Sequence, residues 1–320
     1  MSYIFKNILL ICTVFLFNVS PKDQLGIHIA KYRNDRQCAI SYTFDDGLAE
    51  HYSLVVPQLK KYRFKGTFWI NGSRVSTSAK PDSTRMNWKQ IKEISLLGQE
   101  VSNHGWAHKN LTKCTPEEIE TELYKNDSAI FANTGILPRS YCYPGNRKNP
   151  EVIALASRNR VGTRTEQRSI GSKSTKEDLS DWVDSLIKSN AWGVGMTHGI
   201  TYGYDAFNNP HVFWEHLKTV YEMQDKVWVG TFREVAAYTK EYENTRLDVK
   251  SKKGEYVITP LLKLDPEIFT EKLTAVITEK NIKQLRAMQN GKALKVMIYA
   301  DKALFDFDPF GGEILLKILK

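Results

Sequence analysis

Hydrophobic positions between residues 39 and 242 follow two alternating patterns, short apolar runs and longer stretches with helical spacing. Apolar runs are typical of buried strands, whereas apolar residues three or four positions apart indicate helices. Strands that alternate with helices predict a parallel sheet, because each helix returns the chain to the same end of the sheet. The predicted strands are 39–44, 65–70, 140–143, 161–165, 192–197 and 227–231, and the predicted helices are 49–60, 88–97, 115–132, 150–157, 176–189, 213–223 and 232–242.

The pattern changes after residue 244, where strand-like segments continue without helices between them. These segments are 256–262, 273–278, 293–299 and 313–318. A polar stretch at 250–255 precedes the first of them, and Gly291 and Gly312 lie between later ones. We therefore predict an α/β domain over residues 21–244 and a small β-rich domain over residues 245–320, a sandwich packed on the first domain.

The first residues carry the pattern of an export signal. Lys6 supplies a positive charge before an apolar run at 8–17, which is too short to span a bilayer comfortably. We predict that residues 1–20 are a signal peptide, so that the protein is exported to a bacterial periplasm, the cell surface or the medium. An uncleaved signal segment is the alternative, and it would be the only membrane contact.

Cysteine usage and charge restrict the class of protein. Loss of Cys12 with the signal leaves Cys38, Cys114 and Cys142, an odd number that argues against a disulfide framework. The net charge of +9 would suit a nucleic-acid partner. The basic residues are dispersed among acids, however, and no basic run is interleaved with aromatics. We therefore expect no nucleic-acid partner, and a surface that faces anionic polymers or phospholipid explains the charge equally well.

Candidate chemistry begins where the first predicted strand ends, at Asp45, Asp46 and Gly47. Adjacent carboxylates repel each other. If both are buried, either a bound cation must neutralise their charge or one of the two must have a raised pKa. Gly47 lets the chain bend, and both carboxylates could then face one cleft, one as a metal ligand and the other as a base. A solvated Asp-Asp-Gly turn is the alternative.

Three histidines add to this chemistry. His104 and His108 are four residues apart and would lie on one face of a helical turn. One carboxylate and two neutral imidazoles leave coordination positions open, as a catalytic divalent metal requires. His198 follows an apolar strand, where a histidine is often structural, but beside a metal site it has the chemistry of a general acid.

The order of these parts resembles the polysaccharide deacetylases, carbohydrate esterase family four, which share a homology domain with the nodulation-factor deacetylase. The resemblance covers roughly residues 36–240, through the segments 43–47, 104–108, 141–145 and 196–198. It implies a distorted (β/α) barrel with incomplete repeats, whose functional residues lie at the carboxyl ends of the strands. It also implies a hydrolase that removes acetyl groups from an acetylated polysaccharide or oligosaccharide.

The resemblance further implies a role for each residue of the first two motifs. Asp46, His104 and His108 would hold one divalent metal, and zinc best suits two imidazoles and a carboxylate. Water on that metal would become acidic enough to act as the nucleophile. Asp45 would be the catalytic base that accepts its proton.

The later motifs would complete the site. His198 would be the catalytic acid that protonates the departing group. The turn formed by Tyr143, Pro144 and Gly145 would bind substrate, and a backbone N–H after it would stabilise the oxyanion.

Two departures from the family pattern predict a substitute arginine. The third motif usually places an arginine two residues before its proline, where this chain has Cys142. The letters of the fourth motif occur at 178–182, but this segment has the features of a helix N-terminus, so the fourth site should follow the strand at 161–165. We predict that Arg164, at that strand end, is a catalytic-site residue that keeps Asp45 ionised. The alternative is that Arg164 caps a surface loop.

Three functions remain open from the sequence. The first is removal of N-acetyl groups from sugars of the N-acetylglucosamine type, and the second is an O-acetyl esterase on xylan or another acetylated polysaccharide. The third is a noncatalytic glycan-binding protein, which the retained aspartates and histidines argue against. The C-terminal domain shows no ligand set, and we expect a structural or glycan-binding accessory role for it.

Overall fold

The computed structural model describes residues 25–77, 84–252, 255–279 and 282–319, so the predicted signal peptide lies outside the described residues. The strands are β1 (Ile27–Ile29), β2 (Cys38–Phe44), β3 (Thr67–Ile70), β4 (Glu100–Asn103), β5 (Ser140–Cys142), β6 (Gly162–Arg164), β7 (Arg168–Ser169), β8 (Trp192–Thr197), β9 (Val227–Val229), β10 (Arg246–Lys252), β11 (Glu255–Leu261), β12 (Leu273–Ile277), β13 (Gln284–Gln289), β14 (Lys292–Ala293), β15 (Val296–Ile298), β16 (Ala303–Phe307) and β17 (Ile314–Leu319). The α-helices are α1 (Val56–Lys61), α2 (Trp88–Leu96), α3 (Pro116–Thr134), α4 (Pro150–Ala156), α5 (Lys176–Ser189), α6 (His211–Glu222) and α7 (Phe232–Asn244). Within these ranges, no helix combines the length and the apolar character that a membrane crossing requires.

The strands between β2 and β9 form one parallel sheet in the order β6-β5-β4-β3-β2-β8-β7, and β9 pairs with the first residues of β2. Apolar faces of α1, α2, α5 and α6 pack against β2 and β3 in one core. Among the described residues, the edge strands β6 and β7 do not pair with each other, so the barrel is incomplete. The predicted distorted (β/α) barrel with incomplete repeats is confirmed.

Polar residues that directly precede helices of the barrel cap the helix N-termini. Thr115 accepts a hydrogen bond from the N–H of Glu118, and the Glu118 side chain accepts one from the N–H of Thr115 at the start of α3. Such a cap contributes about 1 kcal/mol. Gly135, with φ of 79°, ends the helix in a left-handed conformation that glycine adopts without strain.

The barrel core encloses the histidine His216. All seven residues of β2 are buried, and the Tyr42 hydroxyl lies 2.8 Å from Nε2 of His216 on α6. The Trp182 ring stacks on the imidazole with 6.1 Å between ring centroids. Burial lowers the pKa of His216 to about 4, so the ring is neutral at pH 7.

We expect His216 to make stability depend on pH. The unfolded chain takes up a proton near pH 6.5, whereas the folded chain does so only near pH 4. The stabilisation is therefore fully present above pH 6.5 and is lost as the pH falls toward 4, by roughly 3 kcal/mol. Urea unfolding at pH 7 and pH 5 should show a smaller loss of unfolding free energy for His216→Gln than for the wild type. Equal losses in the two proteins would rule this assignment out.

The C-terminal strands form two antiparallel sheets. Their orders are β1-β12-β16-β15 and β10-β11-β17-β13-β14. Side chains from both sheets share one core with residues of β9 and α7, including Ile258, Phe305, Trp228 and Tyr238. The predicted β-rich C-terminal region is confirmed, and it packs against the barrel.

Details of this region differ from the sequence prediction. The predicted strand 293–299 is wrong as one element, because it divides into β14 and β15, which belong to different sheets. β1 pairs with β12 although it precedes the barrel in the chain. The division into residues 21–244 and 245–320 stays a prediction, and β1 lies across it.

Candidate active site and metal centre

The candidate residues gather at the carboxyl ends of parallel strands. Asp45 directly follows β2, and its N–H donates to the carbonyl of Thr197 at the end of β8. His104 directly follows β4, and its N–H donates to the carbonyl of Ile70 at the end of β3. Because neighbouring parallel strands end at one edge, residues far apart in sequence meet here.

The predicted metal ligands converge. Oδ1 of Asp46 lies 3.6 Å from Nε2 of His104 and 3.5 Å from Nε2 of His108. Both Asp46 Oδ1 and His104 Nε2 are buried and lack a hydrogen-bond partner among the described residues. Buried polar atoms are normally satisfied, so this convergence fits a cation bound between them.

The protonation of His104 also fits a ligand. Nδ1 of His104 lies 2.9 Å from the carbonyl of Cys142. A carbonyl only accepts, so Nδ1 carries the hydrogen and Nε2 directs its lone pair toward Asp46. Burial lowers the pKa of His104 to about 4 and also lowers the pKa of His108, so both rings are neutral near pH 7.

The backbone that brings the two histidines together is not the predicted helical turn. Gly105 has φ of 76° and His108 has φ of 57°, so the chain makes a bend with left-handed residues after β4. The Asn71 side chain donates to the His104 carbonyl at 2.5 Å. The Glu122 carboxylate accepts a hydrogen bond from a loop N–H at 2.8 Å. The prediction of proximity was right, and the reason given for it was wrong.

Arg164 reaches Asp45, the contact that its position in the sequence predicted. Its Nη1 donates to Asp45 Oδ1 at 2.7 Å and its Nη2 donates to Oδ2 at 2.5 Å. A further bond joins Nη1 to Oγ1 of Thr43 at 2.7 Å. Burial alone would raise the pKa of Asp45, but the guanidinium outweighs it and holds the pKa at about 2. Arg164 does not cap a surface loop.

A second set of candidate ligands shares His104. Asp45, His104 and Cys142 also lie close enough together to hold an ion. Arg164 occupies both oxygens of Asp45, and burial raises the pKa of the Cys142 thiol well above its usual value. A thiol must lose its proton to bind a metal, so this set suits a cation poorly. The set with Asp46 is the better metal centre.

His198 lies on the other side of Asp45. Its Nε2 is 3.9 Å from Asp45 Oδ2, and its Nδ1 is buried without a hydrogen-bond partner among the described residues. The ring of Tyr204, a largely exposed residue, meets it edge-on at 5.0 Å between centroids. His198 is therefore placed between the ion-paired carboxylate and an aromatic side chain at the rim.

Two residues that support His198 were missed by the sequence analysis. Nε2 of His51 donates to the carbonyl of His198 at 2.5 Å, and burial lowers the pKa of His51 to about 4. The Glu50 carboxylate accepts from the N–H of Thr201 at 3.0 Å and from its hydroxyl at 2.7 Å. The only sequence signal was that these polar residues interrupt the apolar face of the predicted helix 49–60.

The turn of Tyr143, Pro144 and Gly145, which was predicted to bind substrate, is largely buried rather than exposed as a binding surface would be. Tyr143 is buried, and its hydroxyl donates to Thr163 Oγ1 at 2.8 Å. Pro144 is also buried, and Gly145 has φ of 60° in a short 3-10 helix. A substrate contact of Tyr143 would have to come from its backbone, and the binding role of this turn stays a prediction.

The segment 178–182 lies within α5. Asp178 caps this helix through reciprocal hydrogen bonds with Thr175. Trp182 packs in the barrel core. This agrees with the expectation that segment 178–182, which matches the fourth motif in its residue types, is part of a helix.

Comparisons with known proteins agree with the motif pattern. The model of a family described as polysaccharide deacetylase matches residues 32–163. The chain is 28% identical over 197 residues to the peptidoglycan-N-acetylmuramic acid deacetylase PdaA of Bacillus subtilis, covering 59% of this chain and 65% of that protein.

Two further relatives match shorter stretches. The chain is 31% identical over 114 residues to the peptidoglycan-N-acetylglucosamine deacetylase PgdA of Listeria monocytogenes, covering 35% of this chain and 22% of that protein. It is 29% identical over 115 residues to chitin deacetylase 1 of Cryptococcus neoformans, covering 36% of this chain and 23% of that protein. The chain thus spans less than two thirds of the length of each of these three relatives.

Proposed function

We propose that this chain, whose residues 32–163 place it in the polysaccharide deacetylase family, is a metal-dependent hydrolase that removes acetyl groups from an acetylated polysaccharide. The observation that carries the proposal is one geometric arrangement. Unpartnered ligand atoms of Asp46 and His104 meet near His108, one residue along the chain from an ion-paired Asp45. A noncatalytic glycan-binding protein would need neither feature.

The metal would be held by Asp46, His104 and His108, and this donor set best suits zinc. When bound, such an ion supplies Lewis acidity for hydrolysis. Neutral imidazoles and an ionised carboxylate near pH 7 are the protonation states that binding requires.

Asp45 and Arg164 would act as a unit on the attacking water. With a pKa of about 2, Asp45 is a carboxylate throughout the neutral range and can accept a proton. Arg164 contacts both of its oxygens and therefore fixes the direction in which the carboxylate faces. Arg164 is a positioning residue, because it acts through Asp45.

His198 would deliver a proton to the departing amine or alkoxide. Its Nε2 lies 3.9 Å from Asp45 Oδ2, so the proposed acid and the proposed base border the same site. A backbone N–H of the turn at Tyr143 would stabilise the oxyanion. His51 and Glu50 would hold the segment around His198 in place.

The substrate class follows from the relatives. Those named above are deacetylases of peptidoglycan sugars and of chitin, which supports N-acetyl groups of N-acetylglucosamine-type sugars. Export through residues 1–20 would bring the enzyme to such polymers.

Acetate release from a panel of glycans tests the proposed function. The zinc-loaded wild type should release acetate from peptidoglycan strands or chitooligosaccharides faster than from acetylated xylan. Preferential release from acetylated xylan would support the O-acetyl esterase instead. Binding to these glycans without any acetate release would identify a noncatalytic binding protein and contradict the proposal.

A further inference from the structure

An exposed tyrosine stands beside the proposed acid. Tyr204 is 76% exposed, and its ring centroid lies 5.0 Å from that of His198, with an angle of 82° between the two ring planes. Within the described residues, Tyr204 has no other ring contact and its hydroxyl has no hydrogen-bond partner. A ring this exposed contributes little to the stability of the fold, because it buries little apolar surface.

The loop that carries Tyr204 is held on both sides of it. Before Tyr204, the Glu50 carboxylate accepts hydrogen bonds from the N–H and the hydroxyl of Thr201. After it, the Asp205 carboxylate accepts from the N–H of Ser172 at 3.1 Å and from its hydroxyl at 2.9 Å. Asp205 has φ of 56°, a left-handed conformation that is uncommon for residues other than glycine. The fold therefore fixes the place of this exposed ring.

The proposed reaction brings a sugar ring into the space that Tyr204 borders. To protonate the departing nitrogen, Nε2 of His198 must come within about 3 Å of it. In an N-acetylglucosamine-type sugar, that nitrogen is bonded directly to a carbon of the pyranose ring. The pyranose ring must then lie close to the imidazole, and the phenol ring of Tyr204 stands nearly perpendicular to that imidazole. The two side chains thus form two walls of one corner.

We infer that Tyr204 binds the pyranose ring of the acetylated sugar by stacking against its C–H face. The inference rests on the proposed function and names a residue that recognises its substrate. The face of an aromatic ring is partially negative and attracts slightly positive C–H groups. The same contact removes apolar surface of both rings from water. Recognition would depend on the aromatic ring and not on its hydroxyl.

Exposure alone does not distinguish Tyr204, because single exposed apolar residues are common on protein surfaces. Tyr124 on α3 is 75% exposed. It lines a groove to which none of the candidate site residues contributes. The difference is that Tyr204 contacts His198 and lies on a loop anchored on both sides. Tyr124 is therefore the matched control.

Binding to a protein that cannot turn over tests the stacking contact. The zinc-loaded Asp45→Asn protein is titrated in a calorimeter with chitotetraose and with a peptide-free peptidoglycan oligosaccharide. Adding Tyr204→Ala should weaken the Kd of the bound oligosaccharide about tenfold. Adding Tyr204→Phe, which keeps the ring, or Tyr124→Ala should leave the Kd nearly unchanged. Equal affinities with and without Tyr204→Ala overturn the inference, as does a failure of both oligosaccharides to bind.

Kinetics on the otherwise wild-type chain separate substrate binding from an effect on His198. Tyr204→Ala should raise KM about tenfold and change kcat less than about threefold. A fall in kcat with an unchanged KM would mean that Tyr204 only positions His198, and the inference would be overturned.

The inference and the proposed function can fail separately. A tenfold loss of affinity in the Asp45→Asn protein with Tyr204→Ala supports the inference even if the wild type releases no acetate. An unchanged affinity overturns it even if acetate is released.

Discussion

Asp45→Asn protein should keep its metal and lose nearly all of its deacetylase activity, on the order of 10³-fold in kcat. The amide of asparagine cannot accept the proton that the carboxylate takes. Its oxygen can still accept from Arg164, so the fold and the ligand Asp46 should stay in place. Acetate release and metal content, measured on the same sample, check both parts of this expectation.

The matched control is Asp127→Asn. Asp127 is likewise a carboxylate paired with a buried arginine, Arg160, but it is not one of the site residues. This variant should lose stability and retain kcat. If Asp45→Asn retained more than about a tenth of the wild-type rate, Asp45 would not be the base.

Arg164→Met should move the acidic limb of the pH–rate profile upward and lower turnover. Without the guanidinium, burial alone acts on Asp45, so its pKa rises from about 2. Loss of a close opposite charge corresponds to about 1–3 pH units. The base is active only when ionised, so as the pH falls it becomes protonated, and activity is lost, at a higher pH than in the wild type. In addition, loss of the carboxylate's orientation should cost about 10²-fold in kcat at neutral pH.

The control for this variant is Arg160→Met, which breaks another largely buried arginine–aspartate pair, that with Asp127. Breaking such a pair costs about 3–5 kcal/mol of stability, so both variants should unfold more easily. Only Arg164→Met should change the pH profile. An unchanged acidic limb with reduced stability would make Arg164 a structural residue.

The sequence predicted the barrel and most of the site because both depend on local patterns. Most motifs follow an apolar strand, and parallel strands place their ends at one edge. The strand before His104, β4, is mostly polar and was not predicted. Arg164 could be predicted because the family resemblance left Asp45 without its usual arginine, where this chain has Cys142, and because Arg164 lies at the end of the next predicted strand. The sequence pattern could not show the direction of each side chain, for example that Oδ1 of Asp46 faces His104 and His108.

The sequence errors have physical causes of their own. The four-residue spacing of His104 and His108 is typical of a helix, but Gly105 permits a left-handed bend. That glycine was the sequence feature that indicated a bend instead of a helix. The missed strand β10 lies at a sheet edge, and its alternation is short because only Leu247 and Val249 are apolar among charged residues. The supporting contacts of Glu50 and His51 depend on tertiary structure, and no local pattern encodes them.

Metal occupancy measured together with acetate release tests the central claim most directly. Protein stripped by a chelator should be inactive, and titration with zinc should restore activity in proportion to one bound ion per chain. His104→Ala should lower metal content and rate together, whereas His211→Ala, which removes an exposed histidine at the start of α6, should change neither. Full acetate release by metal-free wild-type protein would contradict the account.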